Sequence, residues 1–468
     1  MGEAPRRPRL GSGPAPGLPM PSMSRTSSCP WPDQPPLPAV ACRWFGFSSS
    51  VGFWGAAFRW TLLPAPLVLG LALLLCLPVP AVPPTDLRSA EFMAEATAGF
   101  GKLYNLDFDA ADTAFAALTR LYPDHPAPPL YEATAVWLRH LDDRRELVLD
   151  RFVHPGYFTR AAARPMDSIQ RQRFFDLLAA SRLLADRRLK ADSLDPDARY
   201  YRGVAEGLAA AFAITLDRSY MDAFRHGKQA YAIHSRLFQE DRRYFDASLL
   251  PGLYDYVATS LPWYLRWLTG GDRGRGLQSV NLAVDKGPWA SDDARLVRLV
   301  LLAREGRLDD ALADAASLSG KYTRNYLLHL TRAQLLERLG RREEADSTYL
   351  QILQFAEQGT PNYQRIDVAA FRWDIGNRLL ASRPQVALDR YQSLLADPAT
   401  AERWRVLALL QSGCALDLLG RREDAIRQYR AVLGMKEYDN SHAHANEYLR
   451  SPFSATGNSI ALPRLSAK

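Results

Sequence analysis

The chain has 468 residues, 47% of them apolar, and a formal net charge of +7. That apolar content excludes a globally disordered chain, and the length allows two or three ordinary domains or one solenoid. Residues 1–60 hold six arginines and two acids, residues 61–83 hold no charge, and residues 84–468 keep only +3. A basic nucleic-acid footprint belongs on the folded domain, so no nucleic-acid partner is expected.

Residues 1–56 form the first segment. Eleven prolines fall between Pro5 and Pro38, and such a stretch cannot bury a core. It is expected to be disordered, or not translated at all. Residues 57–83 form the second. Within them, residues 61–82 are apolar and uncharged, follow Arg59, and end on small residues around Ala81. This pattern predicts a secretory signal or an N-terminal membrane anchor, and places the protein outside the cytoplasm, in the periplasm or tethered in an envelope. Cys29, Cys42 and Cys76 all precede Pro84, so the folded part has only Cys414. No CxxC or Cys/His cluster is present, and neither zinc nor another cofactor is expected.

From about Ala90 the periodicity predicts helix almost throughout. Residues 84–250 read as an N-terminal helical array. Its first hairpin has helices on either side of Asp107, with Asp107, Asp109 and Asp112 expected to favour the start of the second. The next helix is expected to start at Tyr131, and a long one runs from Met166 to Lys190. Residues 154–165 read as a loop. Another helix starts at Asp195–Pro196. Residues 251–290 form an aromatic connector, with Tyr254, Tyr256, Trp263, Tyr264 and Trp267 followed by Arg273 and Arg275. Residues 291–450 read as a second array whose last helix caps it, and residues 451–468 as a disordered tail.

The organising feature is a corner that occurs twice. Residues 339–353 read LGRREEADSTYLQIL and residues 419–433 read LGRREDAIRQYRAVL. In each, glycine ends one helix and charged residues open the next. Alanine followed four residues later by an aromatic marks further units, at Ala345/Tyr349, Ala387/Tyr391, Ala425/Tyr429 and Ala111/Phe115. The step from Ala311 to Ala345 is about 34 residues, the length of one helix–turn–helix unit of the tetratricopeptide repeat, which the chain resembles here. The steps on to Ala387 and Ala425 are longer, so loop insertions separate those units. Gly413, Leu416, Gly420, Ala425 and Tyr429 fit that family's pattern, as do Gly99, Ala111, Phe115 and Pro123. Ala315 departs from it, standing where an aromatic is expected. The connector is similar to those of bacterial cell-envelope tetratricopeptide proteins. The resemblance implies an all-α, right-handed helical-hairpin solenoid, here as two arrays joined by the connector.

In such arrays the first helix of each unit lines the groove. By register its inward residues include Leu296, Val300, Leu327, Leu330, Gln334, Leu407 and Leu410. This set is apolar, so either the superhelix closes on itself or it receives an apolar helix, a lipid or the aromatic segment. No nucleophile–base pair or metal set stands out. His442, His444 and Glu447 read as surface residues, and GGDRGRG (270–276) lacks the lysine and hydroxyl residue of a phosphate loop. The expected function is therefore a non-catalytic scaffold binding other proteins, with Leu330, Gln334 and Leu407 in its groove. The alternative is a glycan or lipid receptor using the aromatic segment 254–267.

Overall fold

A computed structural model describes residues 86–148, 166–259 and 270–455. The proline-rich N-terminus, the apolar segment 61–82, the loop 154–165, Trp263, Tyr264, Trp267 and the tail past residue 455 lie outside the described residues. Among the described residues all regular structure is helical.

The helices come in consecutive pairs: α1 (Ala90–Tyr104) with α2 (Phe108–Leu121), α3 (Ala127–Asp143) with α4 (Ser168–Ala191), α5 (Pro196–Phe212) with α6 (Tyr220–Glu240), and α7 (Leu249–Ala258) with α8 (Arg273–Lys286). Four more pairs follow: α9 (Ser291–Arg304) with α10 (Leu308–Lys321), α11 (Tyr326–Arg338) with α12 (Arg342–Glu357), α13 (Val368–Leu379) with α14 (Pro384–Ala396), and α15 (Glu402–Leu418) with α16 (Arg422–Leu433). A last helix, α17 (Ser441–Arg450), packs on α16 and α15. Each helix packs mainly on its neighbours in the chain, the arrangement of a solenoid.

The corners explain the pairing. Gly340 and Gly420 have φ of +74° and +73°, a left-handed conformation that glycine adopts without a Cβ penalty. The next residue then donates back into the ended helix, Arg341 N–H to Leu336 O at 2.9 Å and Arg421 N–H to Leu416 O at 2.8 Å. The first corner repeats this geometry with Leu106 at φ +65° and Asp107 N–H donating to Lys102 O at 3.0 Å. Helix α3 begins at Ala127, before the expected Tyr131. Pro128 and Pro129 sit in its first turn, where the missing N–H groups have no helical partner to lose.

The crossings are set by small residues under large ones. A Cβ built on Gly413 would lie 2.3 Å from the Tyr429 ring, and one on Gly99 would lie 2.4 Å from Phe115. The tyrosine tips are anchored on the partner helix: Tyr429 donates to Asp417 at 2.8 Å and Tyr391 to Asn377 at 2.8 Å. In the connector, α7 and α8 cross glycine to glycine. A Cβ on Gly252 or on Gly276 would lie 2.7 Å from the other's carbonyl oxygen. At Ala315, where the pattern lacks its aromatic, the alanine is fully buried. The chain is a tetratricopeptide-like helical-hairpin solenoid.

The solenoid also meets itself. The corner between α1 and α2 lies against the loops that precede α9, α11 and α13. Tyr104 donates to Asp293, and its ring lies 5.2 Å from that of Tyr322. Asn325 Nδ2 donates to Tyr104 O at 2.8 Å, and Arg324 N–H to Asn105 Oδ1 at 2.9 Å. Arg324 also pairs with Asp107, and Asn362 Nδ2 donates to the Asp107 carboxylate at 2.8 Å. Asp107 makes no side-chain bond to the start of α2, so its expected role as a helix cap gives way to this distant contact. One continuous core runs from Leu87 to Phe453 through both parts of the chain.

Candidate functional site

The inward-facing candidates lie on the first helices of the C-terminal pairs. Leu296, Val300, Leu327 and Leu330 are half-buried and pack on the main core. Leu407 and Leu410 are buried. Between these apolar positions sit polar groups with no hydrogen-bond partner: Gln334 Oε1 on α11, Trp373 Nε1 on α13, and Gln411 Oε1 on α15. Trp373 and Gln411 are themselves buried, and the Trp373 ring lies 5.6 Å from Trp404. A buried acceptor or donor left unpaired costs about 1–3 kcal/mol. All three atoms are shielded from solvent, so they belong to the packed interior and not to an open surface. Of the three, the sequence pointed only to Gln334. Gln411 directly follows the expected inward residue Leu410 on α15, whereas α13, which carries Trp373, held no expected inward residue.

The described connector residues are engaged internally. Tyr256 is buried and donates to Glu305 at 2.6 Å, and desolvation pushes its phenol up to about 12. Tyr254 is half-buried against Tyr231, with ring centroids 4.9 Å apart. Arg275 grips Asp255 with two bonds of 2.6 and 2.8 Å and also donates to Gly270 O. These hydrogen bonds to Asp255 raise its guanidinium pKa above the usual value. Arg273 is exposed and donates to Thr259 Oγ1 at 3.0 Å and to Glu305 at 3.3 Å. Tyr256, Arg273 and Arg275 build the α7–α8–α9 junction, and Tyr254 packs α7 on α6.

A polar cluster that sequence reasoning missed surrounds Arg88. Its guanidinium pairs with Asp197 at 2.6 Å and lies over the rings of Tyr244 (4.1 Å), Tyr200 (5.7 Å) and Trp289 (5.7 Å). Asp246 holds the Trp289 turn by accepting from Trp289 N–H at 3.0 Å and Ala290 N–H at 2.8 Å. Next to Arg88, the Leu87 carbonyl is 2.9 Å from His125 Nε2. The segment Asp86–Ser89 is thereby tied to three turns between pairs and to the first turn of α5. Its partners range from His125 to Trp289, so no local motif marks them. Among the described residues no group of three or more His, Cys, Asp and Glu side chains could hold a metal ion.

No family model and no curated protein matches the chain. Three solved structures align along most of it. Yeast Tom70 shares 10% identity over 76% of this chain and 87% of that chain, with a TM-score of 0.26. A human IFIT1 dimer with m7Gppp-AAAA shares 11% over 78% and 86%, with a TM-score of 0.30. The P58(IPK) TPR domain shares 16% over 77% and 98%, with a TM-score of 0.20. Scores this low carry no argument of their own, and the fold stands on the corners and crossings described above.

Proposed function

We propose that the chain is a non-catalytic scaffold that holds a protein segment along the first helices of its C-terminal pairs. One observation carries this reading. Leu296, Val300, Leu327 and Leu330, on two successive first helices, are apolar and only half-buried, so part of each stays open to a partner. A protein segment that presents apolar side chains at helical spacing can cover such a face.

We further propose that the protein works at a bacterial cell envelope, tethered through residues 61–82. This rests on the sequence of that stretch, which is apolar, uncharged and long enough to cross a bilayer. No helix among the described residues is long and apolar enough to do so.

Site-specific photocrosslinking tests the scaffold reading. A benzoylphenylalanine at Leu330 is expected to give a protein adduct in intact cells, and one at exposed Arg427 is not. No adduct from Leu330, or equal adducts from both positions, would overturn it.

A further inference from the structure

The Arg88 cluster fixes where the chain arrives at the solenoid. Asp86–Ser89 sits on the edge formed by the turns between pairs, because its contacts are to His125, Tyr244 and Trp289 in three such turns and to Asp197 in the first turn of α5. Four residue steps separate Asp86 from Val82, the end of the apolar segment. Fully extended they span at most about 14 Å.

The same edge exposes large apolar side chains. Leu121 is 65% exposed at the end of α2, Leu194 is 63% exposed in the turn before α5, and Trp289 is 38% exposed beside Arg88. Each lies close in sequence to a residue that grips Asp86–Ser89. Single exposed apolar residues need no explanation. Here three lie in or beside the turns that hold Asp86–Ser89, which follows the apolar segment 61–82 closely in sequence. Tryptophan favours the membrane–water boundary, and Arg88 beneath it suits the same depth. Basic and acidic side chains alternate around them, with Arg120, Lys190 and Lys286 exposed beside Asp124, Asp192 and Asp285. This mixture suits zwitterionic headgroups and does not require anionic lipid.

We propose that this edge, carrying Leu121, Leu194 and Trp289, is seated on a lipid bilayer surface. The inference rests on the tether reading and adds the face that touches lipid. It leaves the corner edge of the same pairs, with Ile169 and Met221, pointing away from the bilayer.

The test uses the full chain in phosphatidylcholine vesicles containing a headgroup nitroxide lipid. Cys29, Cys42 and Cys76 are replaced by serine, and buried Cys414 is kept. A fluorophore is attached through Leu121→Cys or Leu194→Cys, and through Ile169→Cys or Met221→Cys as opposite-edge controls. All four positions are exposed, so labelling leaves the core intact. The expected result is flotation of every labelled chain with the vesicles and loss of emission at positions 121 and 194 only. A chain that fails to float overturns the tether and the seating together. A chain that floats with equal emission at both edges, or with loss at 169 and 221, overturns the seating alone.

Discussion

Asn362 Nδ2 donates to the Asn105 carbonyl at 2.6 Å, across 257 residues of chain. The same amide group reaches Asp107, which also pairs with Arg324. A left-handed φ of +73° at Asn362 aims the side chain, and asparagine tolerates that conformation. The solenoid is thus clasped where the first corner meets the later loops. Asn362→Asp keeps the shape and places a second carboxylate against Asp107. The expected result is faster hydrogen exchange at residues 104–108 and a larger radius of gyration in solution scattering. Unchanged exchange would show that the clasp does not hold the first pair.

The crossings and the corners respond differently to the same change. Gly413→Ala drives a methyl group into the Tyr429 ring, which is fully buried and cannot retreat. Overpacking of this kind costs about 1–3 kcal/mol. Gly340→Ala meets no atom within 4 Å, and its cost is the left-handed backbone alone, about 1 kcal/mol. Thermal or denaturant unfolding should rank Gly413→Ala as the more damaging.

The end of the array is held by a buried ion pair. Asp417, whose side chain is fully shielded, pairs with Arg422 at 2.9 Å and accepts from Tyr429 and from Phe453 N–H. Arg422 donates onward to the carbonyls of Tyr448 and Leu449 at 2.7 and 2.9 Å. Removing one member of a buried pair costs about 3–5 kcal/mol because the other is left uncompensated. Asp417→Ala is expected to lose stability on that scale and to make α17 the first site of proteolysis.

Two buried histidines give acid sensitivity. Burial lowers both His125 and His234 to about 4. Their folded values lie below the ordinary 6.5, so their stabilising contribution is complete above that value and is lost as pH falls through about 4. Asp293 has the opposite sign. Burial raises it to about 6, so its contribution is complete below about 3.9 and is lost as pH rises through 6. Imidazole NMR should find two histidines that stay neutral down to about pH 4. Asp293→Asn should flatten the stability profile between about pH 4 and 6.

The pairs were legible because their signals are local. Glycine corners and the small-over-large crossing at Gly413 and Tyr429 lie within one unit, and their spacing can be read directly. The α5–α6 pair hid the same device. There His234 covers Gly203, where a Cβ would lie 2.2 Å from the imidazole, but longer helices and a π segment at Ala213–Asp217 stretch the register. The clasp and the Arg88 cluster were not legible. They depend on superhelical pitch, which sums small rotations over many pairs. Asp107 shows the limit: beside a helix start it reads as a cap, and its partner is Arg324.

The central claim is that the first helices of the C-terminal pairs hold a protein. Affinity capture from solubilised envelope tests it most directly, with the wild-type chain and a folded Leu327→Ser/Leu330→Ser variant as baits. The account predicts a protein retained in stoichiometric amount by the wild type and lost from the variant. A folded wild-type bait that retains no such protein, or a partner held equally by both baits, would contradict it.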